Sequence, residues 1–114
     1  MENHRLVFLE TDRDKFDEIA DGQKTIETRA ATLKYRPIQA GDTLTFVCGS
    51  DALVKRVTNV SHFQSLDELF SSLPLENILP SAKSTEEAKN LYYKFPGYKD
   101  KIDAEGILAF TLKS

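Results

Sequence analysis

Two stretches that read as strands, "TLTFVC" and "ALVKRVTNVSHF", follow one another with only Gly49, Ser50 and Asp51 between them. No helix intervenes, so the chain is not a string of β-α-β units wound into a parallel sheet. The second strand carries Val54, Val57 and Val60 at a spacing of three. Strict alternation fails there, and a bulge near Lys55 and Arg56 would reconcile the spacing with one buried face. Before this pair, "RLVFLE" reads as a strand. "TDRDKFDEIADG" reads as a short helix, with Thr11 or Asp12 as cap, Phe16, Ile19 and Ala20 as apolar stripe and Gly22 as its end. "KTIETR" alternates as a strand, and "AATLKYRPIQAGD" is a loop with Pro37 and a Gly41-Asp42 turn. After the pair, Ser65 with Glu68 and Ser84 with Glu87 are two capping boxes, each opening a helix. "PLENILPSAK" between them is irregular, with one tight turn. Pro96-Gly97 ends the second helix, and "GILAFTLK" closes the chain as an apolar strand. The order β-α-β-loop-β-β-α-α-β predicts an α+β fold. A mixed sheet or small barrel of about five to six strands is expected, with two to three helices packed outside it.

A chain of 114 residues is one domain, 1–114, because this length cannot build a second core. No apolar run approaches the roughly 20 residues of a membrane span, and the N-terminus has no signal-peptide core, so a cytoplasmic protein is expected. The single cysteine, Cys48, ends an apolar strand and reads as a buried thiol. His4 and His62 are far apart in sequence and outside any metal-ligand spacing, and the five glycines are isolated, so neither a metal site nor a phosphate loop nor any other cofactor site is expected. The net charge of −3 argues against coating nucleic acid by bulk electrostatics. Yet residues 22 to 60 hold six basic side chains against three acidic ones, so a local basic face is available on an acidic protein.

The stretch "DGQKTIETR", residues 21 to 29, carries more polar chemistry than a small domain needs. In an extended strand Thr25, Glu27 and Arg29 point one way, and Ile26 and Thr28 the other. Ile26 can anchor the core. Lys24 lies at the helix-to-strand corner. Either the strand faces solvent with a weak ion pair, or it walls a cleft in which Arg29 holds Glu27 and a desolvated Lys24 stands beside them.

The assembled pattern resembles the ASCH domain family, which is related to PUA RNA-binding domains. It consists of a short helix, Gly22-x-Lys24-Thr25-x-Glu27-x-Arg29, the Gly41-Asp42 turn, "TLTFVC", the Val57, Val60, Phe63, Ser65, Glu68-Leu69-Phe70 portion, Glu86-Glu87-Ala88 with Tyr92 and Phe95, and "GILAF". The resemblance implies a small PUA-like β-barrel with helices outside and a cleft beside it holding Lys24 and Arg29. It implies work on RNA, nucleotides or modified nucleosides. One bacterial branch of the family resembles amidohydrolases that deacylate N4-acetylcytidine with a Lys, a Thr three residues later and a distant Glu. Lys24 matches the Lys, but Glu27 stands at the Thr position, Thr25 is offset from it, and Glu76 matches the distant Glu loosely.

Three functions follow. The first is a binding module for RNA, a nucleotide or a modified nucleoside, with Lys24, Thr25, Glu27, Arg29, Tyr35, Arg36 and Tyr92 as ligand-binding residues. In it Lys24, Arg29 and Arg36 meet phosphate, and Tyr35 or Tyr92 stacks on a base. The second is a hydrolase of N4-acylated cytidine or of RNA. There Lys24 and Glu27 are catalytic, Glu27 as general base and Lys24 with Arg29 at the oxyanion. The third is an interaction module that uses the fold without a ligand.

Overall fold

The computed structural model describes residues 1–113, and five strands and five α-helices lie among them. The strands are β1 (Asn3–Phe8), β2 (Ile26–Ala30), β3 (Thr43–Cys48), β4 (Asp51–Phe63) and β5 (Ile107–Lys113). The helices are α1 (Arg13–Ala20), α2 (Leu66–Ser72), α3 (Leu75–Ile78), α4 (Thr85–Tyr93) and α5 (Tyr98–Glu105). The strands form one sheet in the order β1-β3-β4-β5-β2, curled into a half-barrel with the helices around it. It is mixed, since β1 runs parallel to β3 and every other pair is antiparallel.

The expected bulge is present but lies further along. The register of β4 against β5 shifts between Val57 and Asn59, not at Lys55-Arg56. Arg56 still pairs with Lys113 and Val57 with Leu112, so the valine spacing is absorbed at Thr58. Both capping boxes hold their helices, with Ser65 Oγ accepting from the Glu68 N–H and Ser84 Oγ from the Glu87 N–H, each at 3.1 Å. At α1 neither Thr11 nor Asp12 caps by side chain. A 3-10 turn over Glu10–Asp12 leads into that helix instead.

β5 shows why the sheet needs cover on two sides. Leu108 and Phe110 enter a core with Leu6, Phe16, Ile19, Leu44, Phe46 and Val57. Ile107 and Ala109 enter a second core with Ile26, Ala30, Leu66, Leu69, Ile78, Ala88 and Ile102. Alternation on one strand therefore feeds α1 on one face and α2 to α5 on the other. Gly106 makes the entry to β5 possible. Its φ is +81°, and a Cβ there would lie 2.4 Å from the Phe63 carbonyl oxygen. No helix among the described residues is long and apolar enough to cross a membrane.

Candidate functional site

β2 is the last strand of the sheet and pairs with β5 alone. Leu112 donates to the Thr25 carbonyl and Ala31 to the Gly106 carbonyl, so the odd residues of this segment bond to β5. Ile26, Thr28 and Ala30 therefore turn their N–H and C=O groups away from the sheet. These groups lie beneath helices rather than in water, and side chains satisfy three of the six. Lys24 Nζ donates to the Ile26 carbonyl at 2.7 Å. Glu27 Oε1 accepts from the Thr28 N–H at 3.0 Å. The Tyr98 hydroxyl oxygen accepts from the Ala30 N–H at 2.8 Å. Lys24, Glu27 and Tyr98 stand where a closing strand would otherwise bond.

The same residues form a buried charge cluster. Lys24 and Glu27 are only 3% and 4% exposed, so their geometry must compensate desolvation. The Lys24 ammonium has three acceptors: Ile26 O, Ile78 O at 2.5 Å and Glu27 Oε1 at 3.4 Å. Glu27 Oε2 takes two bonds from Arg29, from Nε at 3.3 Å and Nη2 at 3.0 Å. Arg29 Nη1 donates to the Tyr35 hydroxyl at 3.2 Å, and its guanidinium lies 5.3 Å from the Phe8 ring centre and 5.5 Å from that of Tyr35. Burial pushes the Lys24 pKa below its ordinary value, against the pull of Glu27. Burial also pushes Glu27 upward, but Lys24 and Arg29 overcome it and hold the carboxyl below the usual range. Arg29, desolvated but facing Glu27, stays firmly charged.

The cluster forms one wall of a cleft of about 670 Å³ at the seam between the two ends of the half-barrel. Phe8 and Leu9 come from the β1 side, and Leu79, Leu91, Tyr92, Phe95 and Tyr98 from the helices. Asp12, Asp14, Lys15 and Lys94 also line it. Thr28 Oγ1 and the Tyr92 hydroxyl, 2.5 Å apart, share a hydrogen bond in this wall. Burial raises the Tyr92 pKa, so the phenol stays protonated.

Of the residues singled out in the sequence, Lys24, Glu27, Arg29 and Tyr92 meet in this cleft. The Tyr92 ring is packed against Phe70 and Tyr98 and is 7% exposed, so its hydroxyl, not its face, is what the cleft can use. Tyr35 touches the cluster through Arg29. Thr25 lines a separate cavity with Lys55 and Lys113. Arg36 is exposed and binds the Ala31 carbonyl and Glu105. Glu76 is exposed on α3, away from the cleft. Thr28, Tyr98 and Phe8 are cleft residues that the sequence reading did not select. Alternation sent Thr28 to the core side, which is correct. At a sheet edge, however, helices overhang the strand and one cavity reaches both of its faces. Glu18 was also missed. It is buried, accepts from Ser81 Oγ at 2.5 Å through Oε2, and its Oε1 has no hydrogen-bond partner among the described residues. Among the described residues no cluster of three or more His, Cys, Asp or Glu could hold a metal ion.

No family model and no curated protein matches the chain. Solved structures do, among them the following two. Hypothetical protein PH0355 is 26% identical over 99% of this chain and 98% of its own, with a TM-score of 0.84. Protein PF0455 from Pyrococcus furiosus is 30% identical over 99% of this chain and 96% of its own, with a TM-score of 0.74. Identity at this level along nearly the whole of both chains, on a shared fold, means that this protein belongs to one family with protein PF0455 from Pyrococcus furiosus.

Proposed function

We propose that this protein is a small ASCH-type domain of PUA-like architecture whose cleft binds RNA, a nucleotide or a modified nucleoside. The observation that carries the reading is the convergence of Lys24, Glu27 and Arg29 on one concave wall, with Phe8, Phe95 and Tyr98 around the same cavity. About 670 Å³ is the size of a small-molecule pocket and accommodates a nucleoside. Phe95, 42% exposed, offers a ring for stacking, and Lys94 offers charge for a phosphate.

Binding is favoured over hydrolysis by the hydrogen bonding of the cluster. The Lys24 ammonium has an acceptor for each of its three protons, and both Glu27 oxygens are engaged. A general base needs a lone pair within reach of the substrate, and these two groups are committed to one another and to the main chain. Titration of the protein with nucleosides, nucleotides and short single-stranded RNA at low salt tests the reading. Saturable binding that is weakened in Arg29→Ala is expected, and no binding of any of them ends it. Release of acetate from N4-acetylcytidine by the wild type, abolished in Lys24→Ala and Glu27→Ala, would favour the hydrolase instead.

A further inference from the structure

The cleft wall contains groups whose hydrogen bonds hold the fold and groups with protons left to read a ligand. Lys24 and Glu27 are spent, as above. Arg29 uses three N–H bonds on Glu27 and Tyr35, which leaves two of the five that a guanidinium carries. The Tyr98 oxygen accepts from Ala30, so its own proton is unspent. In the Thr28–Tyr92 pair either hydroxyl can donate to the other, so one proton lies between them and one is left over. The wall thus offers chiefly donors. Its hydroxyl pair can still accept, because its polarity can reverse. The remaining carboxylates of the cleft, Asp12 and Asp14, lie on the α1 side, and Asp14 is paired with Lys15 at 2.5 Å.

A donor-rich wall inside a partly apolar cleft selects a ligand edge rich in acceptors, because an amino group facing the Tyr98 O–H and the unspent Arg29 N–H groups would meet donors, the Thr28–Tyr92 pair being the part of the wall that can accept. We infer that the cleft reads the carbonyl edge of a nucleobase, and that Thr28 and Tyr98 are the residues that set this preference. The inference rests on the nucleic-acid reading above and specifies which face of the base that site recognises. The Tyr98 O–H and the outer Arg29 N–H groups donate to the carbonyl oxygen. The Thr28–Tyr92 pair takes the ring N–H beside it, its internal bond reversing as required. Lys24 and Glu27, the most conspicuous charges of the sequence, then keep the wall in place and touch the ligand least.

The test uses two base pairs of ligands that exchange one carbonyl for one amino group: uridine against cytidine, and inosine against adenosine. Each is titrated by calorimetry into the wild type, Thr28→Val, Thr28→Ser and Tyr98→Phe, with circular dichroism to show that every variant is folded. Wild type should prefer uridine and inosine by about tenfold, the worth of one well-placed hydrogen bond. Thr28→Val should lose about tenfold for the carbonyl bases and erase the preference, and Thr28→Ser should restore it. Tyr98→Phe should weaken the carbonyl bases alone. Equal binding within each pair by the wild type, or a preference that survives both Thr28→Val and Tyr98→Phe, overturns the inference while leaving the binding site standing. No binding of any nucleoside by the wild type overturns the site itself and the inference with it.

Discussion

The half-barrel has two open edges, and they are built in opposite ways. At β1 the Thr43 N–H donates to the Glu2 carbonyl, so Asn3, Arg5 and Val7 turn their backbone groups away from the sheet. All three are exposed, so their outward groups are open to solvent. At β2 the outward Ile26 carbonyl, Thr28 N–H and Ala30 N–H are met by Lys24, Glu27 and Tyr98. The difference is burial. An edge in water needs no special residues, whereas an edge under helices must be satisfied from side chains, since an unpaired buried backbone group costs about 1–3 kcal/mol. The polar richness of "DGQKTIETR" has this structural origin, and the cleft it walls follows from the same gap in the barrel.

Substitutions at the two edges should therefore differ sharply. Lys24→Met strips two carbonyls and Glu27 of their partner, and should cost about 3–5 kcal/mol in denaturant unfolding. A loss below about 1 kcal/mol would mean that the ammonium does not hold the edge. Glu27→Gln leaves Lys24 and Arg29 without a counter-charge in the interior and should cost about 3 kcal/mol by the same measurement. Tyr98→Phe orphans only the Ala30 N–H and should cost about 1–3 kcal/mol. At the β1 edge, Val7→Thr and Arg5→Ala should change stability by no more than about 0.5 kcal/mol. A large effect there would show that water is not what satisfies that strand.

Acid sharpens the contrast from the β1 side. Asp42 ties β1 to the loop before β3, accepting from the Glu2 N–H at 3.0 Å, His4 Nε2 at 2.9 Å and the Gln39 N–H at 3.1 Å. The Glu2 N–H bond, followed by those of His4 and Gln39, holds its carboxyl at about 2, against 3.8 in an unfolded chain. The folded form thus binds its proton later, so this contribution is complete above about pH 4 and is lost as pH falls toward 2. Glu27, also held below its ordinary value, loses stability in the same direction as pH falls. Asp42→Asn should flatten the pH dependence of unfolding between pH 4 and 2. An unchanged slope would place the acid sensitivity elsewhere.

Local pattern made most of this fold legible. The capping boxes at Ser65 and Ser84, the alternation of "KTIETR" and the strand pair around Gly49 are decided by residues within a few positions of one another. α5 was missed because "YKDKIDAE" buries only Ile102, which leaves almost no periodic signal, and because Pro96-Gly97 reads as an end rather than a beginning. The bulge was misplaced by a few residues because its position depends on where β5 pairs with β4, a contact across the chain.

What the sequence determined alone was the succession of the five strands with α1, α2 and α4 among them, and the side of β2 on which Glu27 and Arg29 stand, since both follow from periodicities and caps of the backbone. Tertiary structure decided that β2 is an edge, that helices bury this edge, and that Lys24, Glu27 and Tyr98 must therefore serve its backbone. Thr28, Tyr98 and Phe8 join one cavity for the same reason: β1, β2 and α5 meet only when the sheet curls, and nothing local in the chain encodes that meeting.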